Sequence, residues 1–128
     1  MSQPLTLSIL PDLFAVCRLD AGAPIPSWVT TGDLLSLTRT RDELSIVCAQ
    51  QVPEYVRCER NWRALKIEGP LDFALTGILA SLAAPLAQAG ISIFAISTFD
   101  TDYVLVKQDK LEQAIRTLQD AGHQVSMN

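Results

Sequence analysis

Apolar residues recur along the second half of the chain with two different periods. Leu75, Ile78, Leu79, Leu82 and Leu86 fall at offsets of 3, 4, 7 and 11, which draws one stripe on an α-helix that Gly90 can end in a left-handed conformation. Pro85 lies within that stripe, where it removes a backbone hydrogen bond and should kink the helix toward its end. Ahead of the helix, Trp62, Ala64, Leu65 and Ile67 sit among Arg63, Lys66 and Glu68, a half-buried strand that stops at Gly69-Pro70. Beyond it, Ile91 to Ile96 alternates with period two and Tyr103 to Val106 forms a second β-rich run, so the two predict a hairpin joined by Ser97 to Asp102. Asp109 and Glu112 form a capping-box variant before Leu111, Ala114, Ile115 and Leu118, with Gly122 as the stop and His123 to Met127 as a closing strand. The order β-α-β-β-α-β is the split βαβ pattern of ferredoxin-like α+β folds, an antiparallel sheet with both helices on one face.

The first half is less regular. Strands are predicted at Leu5 to Leu10, Phe14 to Leu19, Leu34 to Leu37 and Leu44 to Ala49, while Pro11, Gly22, Pro24 and Pro26 interrupt the pattern and no helix longer than about two turns is readable. Thr38 to Val47 aligns without a gap on Ser97 to Val106, each a polar, hydroxyl-rich link into an apolar strand. Residues 1–61 are therefore expected to form a degenerate repeat of the unit in residues 62–128.

Composition narrows the function. Of 128 residues 48% are hydrophobic and 19% charged, enough apolar surface to fold, and the net charge of -4 disfavours nucleic acid and anionic membrane as partners. Cys17, Cys48 and Cys58 have no zinc-type spacing and read as small reduced thiols. The start of the chain lacks a basic flank and an unbroken apolar stretch, and Ile78 to Leu86 is far shorter than a membrane span, so a cytoplasmic protein is expected.

Catalytic groups are not apparent. His123, the one histidine, follows a helix stop and suits a helix-end or solvent-facing role. Asp100 and Asp102 fall in a turn that leaves the separation of their carboxylates undefined, and Gly69, Gly77 and Gly90 make no phosphate-binding loop. Neither cofactor nor metal is called for, and no enzyme activity is expected. A binding site is expected where the loop Gly69 to Gly77 enters the first helix beside the following hairpin. The helix start offers backbone N–H groups to a carboxylate, Gly77 leaves room, and Ser97, Thr98 and Asp102 supply short polar groups, so a zwitterion could place its ammonium near Asp102.

Several segments carry a family resemblance: Gly69-Pro70-Leu71-Asp72-Phe73, Leu75-Thr76-Gly77-Ile78-Leu79, Pro85-Leu86, Gly90-Ile91-Ser92-Ile93, Ile96 to Val106 and Leu111 to Ile115. They resemble the ACT domains of small bacterial tandem-ACT proteins, and similar segments occur in aspartate kinase regulatory regions and in cytosolic arginine sensors. The resemblance covers Trp62 to Val125, is most specific at Ser97-Thr98-Phe99 with Asp102, and extends more weakly to Ser36 to Val47. It implies an amino-acid-binding regulatory module, with the ligand at an interface between ACT-like units and no chemistry of its own. Carried over by position, Thr98 and Phe99 offer backbone contacts, Asp102 holds the α-ammonium, and Thr76, Gly77 and Ile78 meet the carboxylate. Asp72 and Ser97 complete the expected site. The acidic residue that arginine sensors use for the guanidinium falls at Leu75, which turns the expectation toward a small or apolar amino acid. ACT units pair with one another, so a homodimer or a regulated protein partner is implied. The alternative is a ligand-free interaction module acting through exposed sheet edges.

Overall fold

The computed structural model describes residues 4–29, 31–72 and 76–127. In chain order the elements are β1 (Thr6–Ile9), β2 (Phe14–Leu19), β3 (Ser36–Arg39), β4 (Leu44–Ala49), β5 (Cys58–Ile67), α1 (Ile78–Gln88), β6 (Phe94–Ser97), β7 (Asp102–Lys107), α2 (Leu111–Asp120) and β8 (Gln124–Met127). They fall into two compact units, one made of the residues up to Pro11 with those from Arg63 onward, the other of Asp12–Trp62. The fold class is α+β, as the periodicities predict.

The unit that begins at Arg63 carries the β-α-β-β-α-β order and adds one strand to it. Within this unit the end of β5 pairs with β7 and with β1, β6 pairs with β7, and β8 pairs with β1. Strand β1, grouped by the sequence pattern with residues 1–61, thus lies between β5 and β8: Leu7 stands opposite Ile67 in an antiparallel ladder and opposite Val125 in a parallel one. Burial explains the choice. Leu7 and Ile9 are sealed from solvent and join Leu65, Ile67, Val104 and Val106 under both helices, which contribute Leu82 and Leu86 from α1 and Leu111, Ala114 and Leu118 from α2. Burying each of these leucine, isoleucine and valine side chains contributes about 1.5–3 kcal/mol, more than the roughly 0.5–1.5 kcal/mol net of a single backbone hydrogen bond.

Helix boundaries follow the glycines. Gly90 and Gly122 both hold positive φ, 76° and 99°, just beyond the last turns of α1 and α2. The expected capping box does not form: Gln108–Lys110 makes a 3-10 turn, Lys110 occupies the cap position of α2, and no side chain caps it. Asp109 is spent inside that turn.

Pro85 and His123 are one device. With no N–H of its own, Pro85 leaves the carbonyl four residues earlier, that of Ser81, without its helical donor. The His123 ring fills the gap with Nε2 at 3.2 Å from that carbonyl, while Nδ1 lies 3.0 Å from the Leu5 N–H. Because a backbone N–H can only donate, Nδ1 must accept and Nε2 must carry the proton. His123 is buried, 5% exposed, and ties the start of β1 to α1. Of the helix-end or solvent-facing roles expected from its position after a helix stop, burial rules out the second, and the ring serves the backbone of α1 and β1.

The Asp12–Trp62 unit is built on antiparallel pairs, β3 with β4, β4 with β2, and β2 with the first half of β5. Its core is formed by Ala15, Cys17, Leu44, Ile46, Cys48 and Val52. Its described residues contain no helix. The β3–β4 hairpin closes with Thr40 N–H donating to the Glu43 carbonyl at 2.9 Å and with the Thr40 hydroxyl accepting from the N–H groups of Asp42 and Glu43. The β6–β7 hairpin closes in the same way at Thr98 and Thr101. The two turns match when Thr40 is set on Thr98, one residue away from the gapless alignment of the sequence.

No helix among the described residues is long and apolar enough to cross a membrane.

Candidate functional site

The hairpin turn after β6 is held from both sides. Ser97 faces Asp102 across the ladder, Thr98 N–H donates to the Thr101 carbonyl at 2.8 Å, and the Thr98 hydroxyl donates to the same carbonyl at 3.0 Å. Phe99 and Asp100 are left at the tip. Thr101 is turned inward and buried, where its hydroxyl donates to the Ile67 carbonyl at the end of β5 at 2.6 Å. The next segment is fastened to the tip by Leu71 N–H, which donates to the Asp100 carbonyl at 2.7 Å. Close approach at this point requires Gly69: a Cβ there would stand 3.1 Å from both the Asp100 carbonyl oxygen and the Leu71 nitrogen, and 3.4 Å from the Thr101 Cβ. Gly69→Ala should therefore cost about 1–3 kcal/mol by pushing the turn off β5, measured as a lowered urea midpoint with an unchanged slope. An unchanged midpoint would show that the turn is not tightly seated.

Between this turn and the start of α1 lies a cavity of about 220 Å3, lined by Leu71, Asp72, Ile78 and Ser97 to Asp102. By strand alternation Asp102 shares the face of Val104 and Val106, the face on which the helices pack, and Ser97 sits beside it. Ile78, the first residue of α1, also lines the cavity. Gly77, at φ 76°, precedes the helix and no side chain caps it; the first helical bond, Ser81 N–H to the Gly77 carbonyl, is 2.9 Å long. The N–H groups of Ile78, Leu79 and Ala80 therefore lack an acceptor within the helix. The lining joins Ile78, the first residue of α1 at the positive end of that helix, to three aspartates, Asp72, Asp100 and Asp102. This polarity matches the charge separation of a zwitterion.

Six of the eight residues expected from sequence line this one cavity: Asp72, Ile78, Ser97, Thr98, Phe99 and Asp102. Thr76 and Gly77 are exposed and lie immediately before Ile78, outside the lining. Gly77 is required for its backbone rather than for space, since a Cβ there would meet nothing within 4 Å. Leu75 lies outside the described residues. Phe99 is 79% exposed and borders the cavity without filling it. Three lining residues escaped the sequence reading as site residues, Leu71, Asp100 and Thr101, and Gly69 escaped as their support. Thr101 gives no signal by itself because a hydroxyl in a Thr-Asp-rich turn reads as solvated; its burial is a tertiary fact. Among the described residues no group of three or more His, Cys, Asp or Glu side chains is placed to hold a metal ion.

Comparison with known proteins places this architecture. The family model described as ACT domain matches residues 57–120, and a model of an N-terminal domain matches residues 12–54. Protein Atu0741 from Agobacterium tumefaciens is 41% identical and superposes with a TM-score of 0.93 over 99% of this chain and 96% of its own. The regulatory subunit of aspartate kinase from Thermus thermophilus shares the fold, with a TM-score of 0.59 over 91% of this chain and 96% of its own at 11% identity. Subunit 1 of the cytosolic arginine sensor for mTORC1 from Homo sapiens is 48% identical over 59 residues, which is 45% of this chain and 18% of the sensor. The chain thus spans a small part of the curated relatives it matches. Since the matched model runs through the strand, helix and hairpin that enclose the cavity, the chain belongs to the ACT domain family.

Proposed function

We propose that this protein is a regulatory module without chemistry of its own, which binds a free amino acid in the cavity between the α1 start and the β6–β7 turn. The observation that carries the reading is the lining of that cavity, in which the start of α1 and three aspartates border a space of about 220 Å3. A space of this size is below the roughly 300–1,000 Å3 of drug-sized sites and suits a small metabolite. The α-carboxylate docks on the N–H groups of Ile78 to Ala80, and Asp102 accepts the α-ammonium in charge-assisted bonds. Leu71, Ile78 and Phe99 receive the side chain. Similarity to a protein named for arginine sensing supports an amino acid as the ligand class, and Leu71, Ile78 and Phe99 in the lining support a small or apolar one. A second ACT-like unit, from the same or another copy of the chain, completes the binding site, and a regulated protein reads the ligated state.

The test is a thermal-shift screen of the purified protein against the twenty amino acids with calorimetry on each hit. Ligand at about 100 times its dissociation constant adds roughly 2.7 kcal/mol to stability. Asp102→Ala should weaken the hit by about 1–3 kcal/mol while leaving the denaturation midpoint in place, because its side chain lies at a cavity edge and not in the core. A hit whose affinity survives Asp102→Ala removes Asp102 from the site. No shift with any amino acid would transfer the function to the sheet edges, β6 and β8, which each pair on one side only within this unit.

A further inference from the structure

Away from the cavity, the Asp12–Trp62 unit gathers all three cysteines of the chain on one face. None is in a disulfide. Cys17 of β2 stands directly opposite Cys58 of β5, and Cys48 of β4 lies diagonally across from Cys17. The ladder settles what kind of pair the first two make. Arg18 N–H donates to the Arg57 carbonyl at 2.9 Å, so positions 18 and 57 form a hydrogen-bonded pair and the neighbouring positions 17 and 58 a non-hydrogen-bonded one. Cα atoms in such a pair are about 4.5 Å apart, inside the roughly 4.4–6.8 Å that a disulfide spans. Side chains of directly opposed residues point to the same face, and the Cys17 thiol is within hydrogen-bonding reach of both Cys48 and Cys58. We propose that Cys17 and Cys58 are an oxidisable dithiol that peroxide closes into a cross-strand disulfide.

Accessibility and thiol chemistry give the two sulfurs different parts. Cys58 is half-buried, and its S–H donates to the Val56 carbonyl at 3.4 Å, whereas Cys17 is 2% exposed. The hydrogen bond that the Cys17 thiol makes to Cys48, followed by burial, pushes that thiol well above the ordinary range, so it does not react with peroxide first. Cys58 sulfur attacks a peroxide oxygen, the O–O bond breaks, and a sulfenic acid and one water result. Cys17 sulfur then attacks the Cys58 sulfur, the S–O bond breaks, and its hydroxyl leaves with the Cys17 proton as a second water. Two thiols are oxidised and one peroxide is reduced. The strands are already in register, so closure requires no backbone rearrangement. Cys48, on the diagonal and fully buried, remains a thiol.

The test exposes the folded 128-residue chain to hydrogen peroxide, quenches it, blocks remaining thiols and maps it without reduction. Trypsin cleavage at Arg18, Arg41, Arg57 and Arg60 leaves each cysteine on its own peptide. The expected result is a linked pair of residues 1–18 and 58–60, a fall in titratable thiols from three to one, and a higher urea midpoint that dithiothreitol reverses. Cys48→Ala should keep the linked pair and Cys58→Ser should abolish it. A linkage through Cys48, a sulfinic acid at Cys58 with Cys17 unmodified, or three thiols remaining after treatment would each overturn the proposal. The wild-type map decides on its own if a variant fails to fold.

Discussion

Replacing His123 with Phe is expected to destabilise the protein by roughly 2–5 kcal/mol, measured by urea denaturation at neutral pH. Phe keeps the ring volume and removes both polar atoms. The buried Leu5 N–H and the partly buried Ser81 carbonyl are then left without the partners that Nδ1 and Nε2 provide, at about 1–3 kcal/mol each. Pro85 makes the prediction specific. Restoring a backbone N–H with Pro85→Ala gives the Ser81 carbonyl a helical donor of its own, so Pro85→Ala in the His123→Phe background should recover part of the loss, about 1 kcal/mol. A double variant whose loss equals the sum of the two single losses would show that His123 and Pro85 do not share the Ser81 carbonyl.

Leu86→Ala should cost a comparable amount, about 2–5 kcal/mol, for a different reason. Leu86 is fully buried and packs on the core that β1, β5 and β7 share with both helices. Its truncation opens a void that neighbours cannot fill without moving a helix, whereas Ala87→Ser on the exposed side of the same turn should stay within about 0.5 kcal/mol. Ile78 at the start of α1 also lines the cavity, so a ligand found in the screen should bind Leu86→Ala more weakly while Ala87→Ser keeps wild-type affinity. Equal urea midpoints for the two variants would mean that α1 is not docked through Leu86.

Periodicity carried most of the α+β unit. The stripe Ile78, Leu79, Leu82 and Leu86, the alternation before Ser97, and the glycines at 90 and 122 report local backbone preference and a buried face, quantities that neighbouring residues express directly. The candidate site was legible for the same reason, because its residues come from two short segments whose turn chemistry is written in hydroxyl and carboxylate side chains. Strand ends, by contrast, moved. The hairpin expected to begin at Ile91 begins pairing at Phe94, and β5 starts at Cys58 rather than Trp62. Pairing depends on which backbone groups meet a partner strand, and side-chain alternation does not report that.

What the amino-acid order determined by itself, then, is the succession of strands and helices and the chemistry offered at the turn after β6. Tertiary structure alone decided where β1 goes, since Leu7 and Ile9 would suit any apolar face and only a vacant place between β5 and β8 selects one. It also decided the work of His123, Gly69 and Thr101. Each acts on a backbone group distant in sequence, the Ser81 carbonyl, the Asp100 carbonyl and the Ile67 carbonyl, and a backbone carbonyl is the same at every residue. The sequence carries no mark of which carbonyl will be left without a donor until the chain has folded around it.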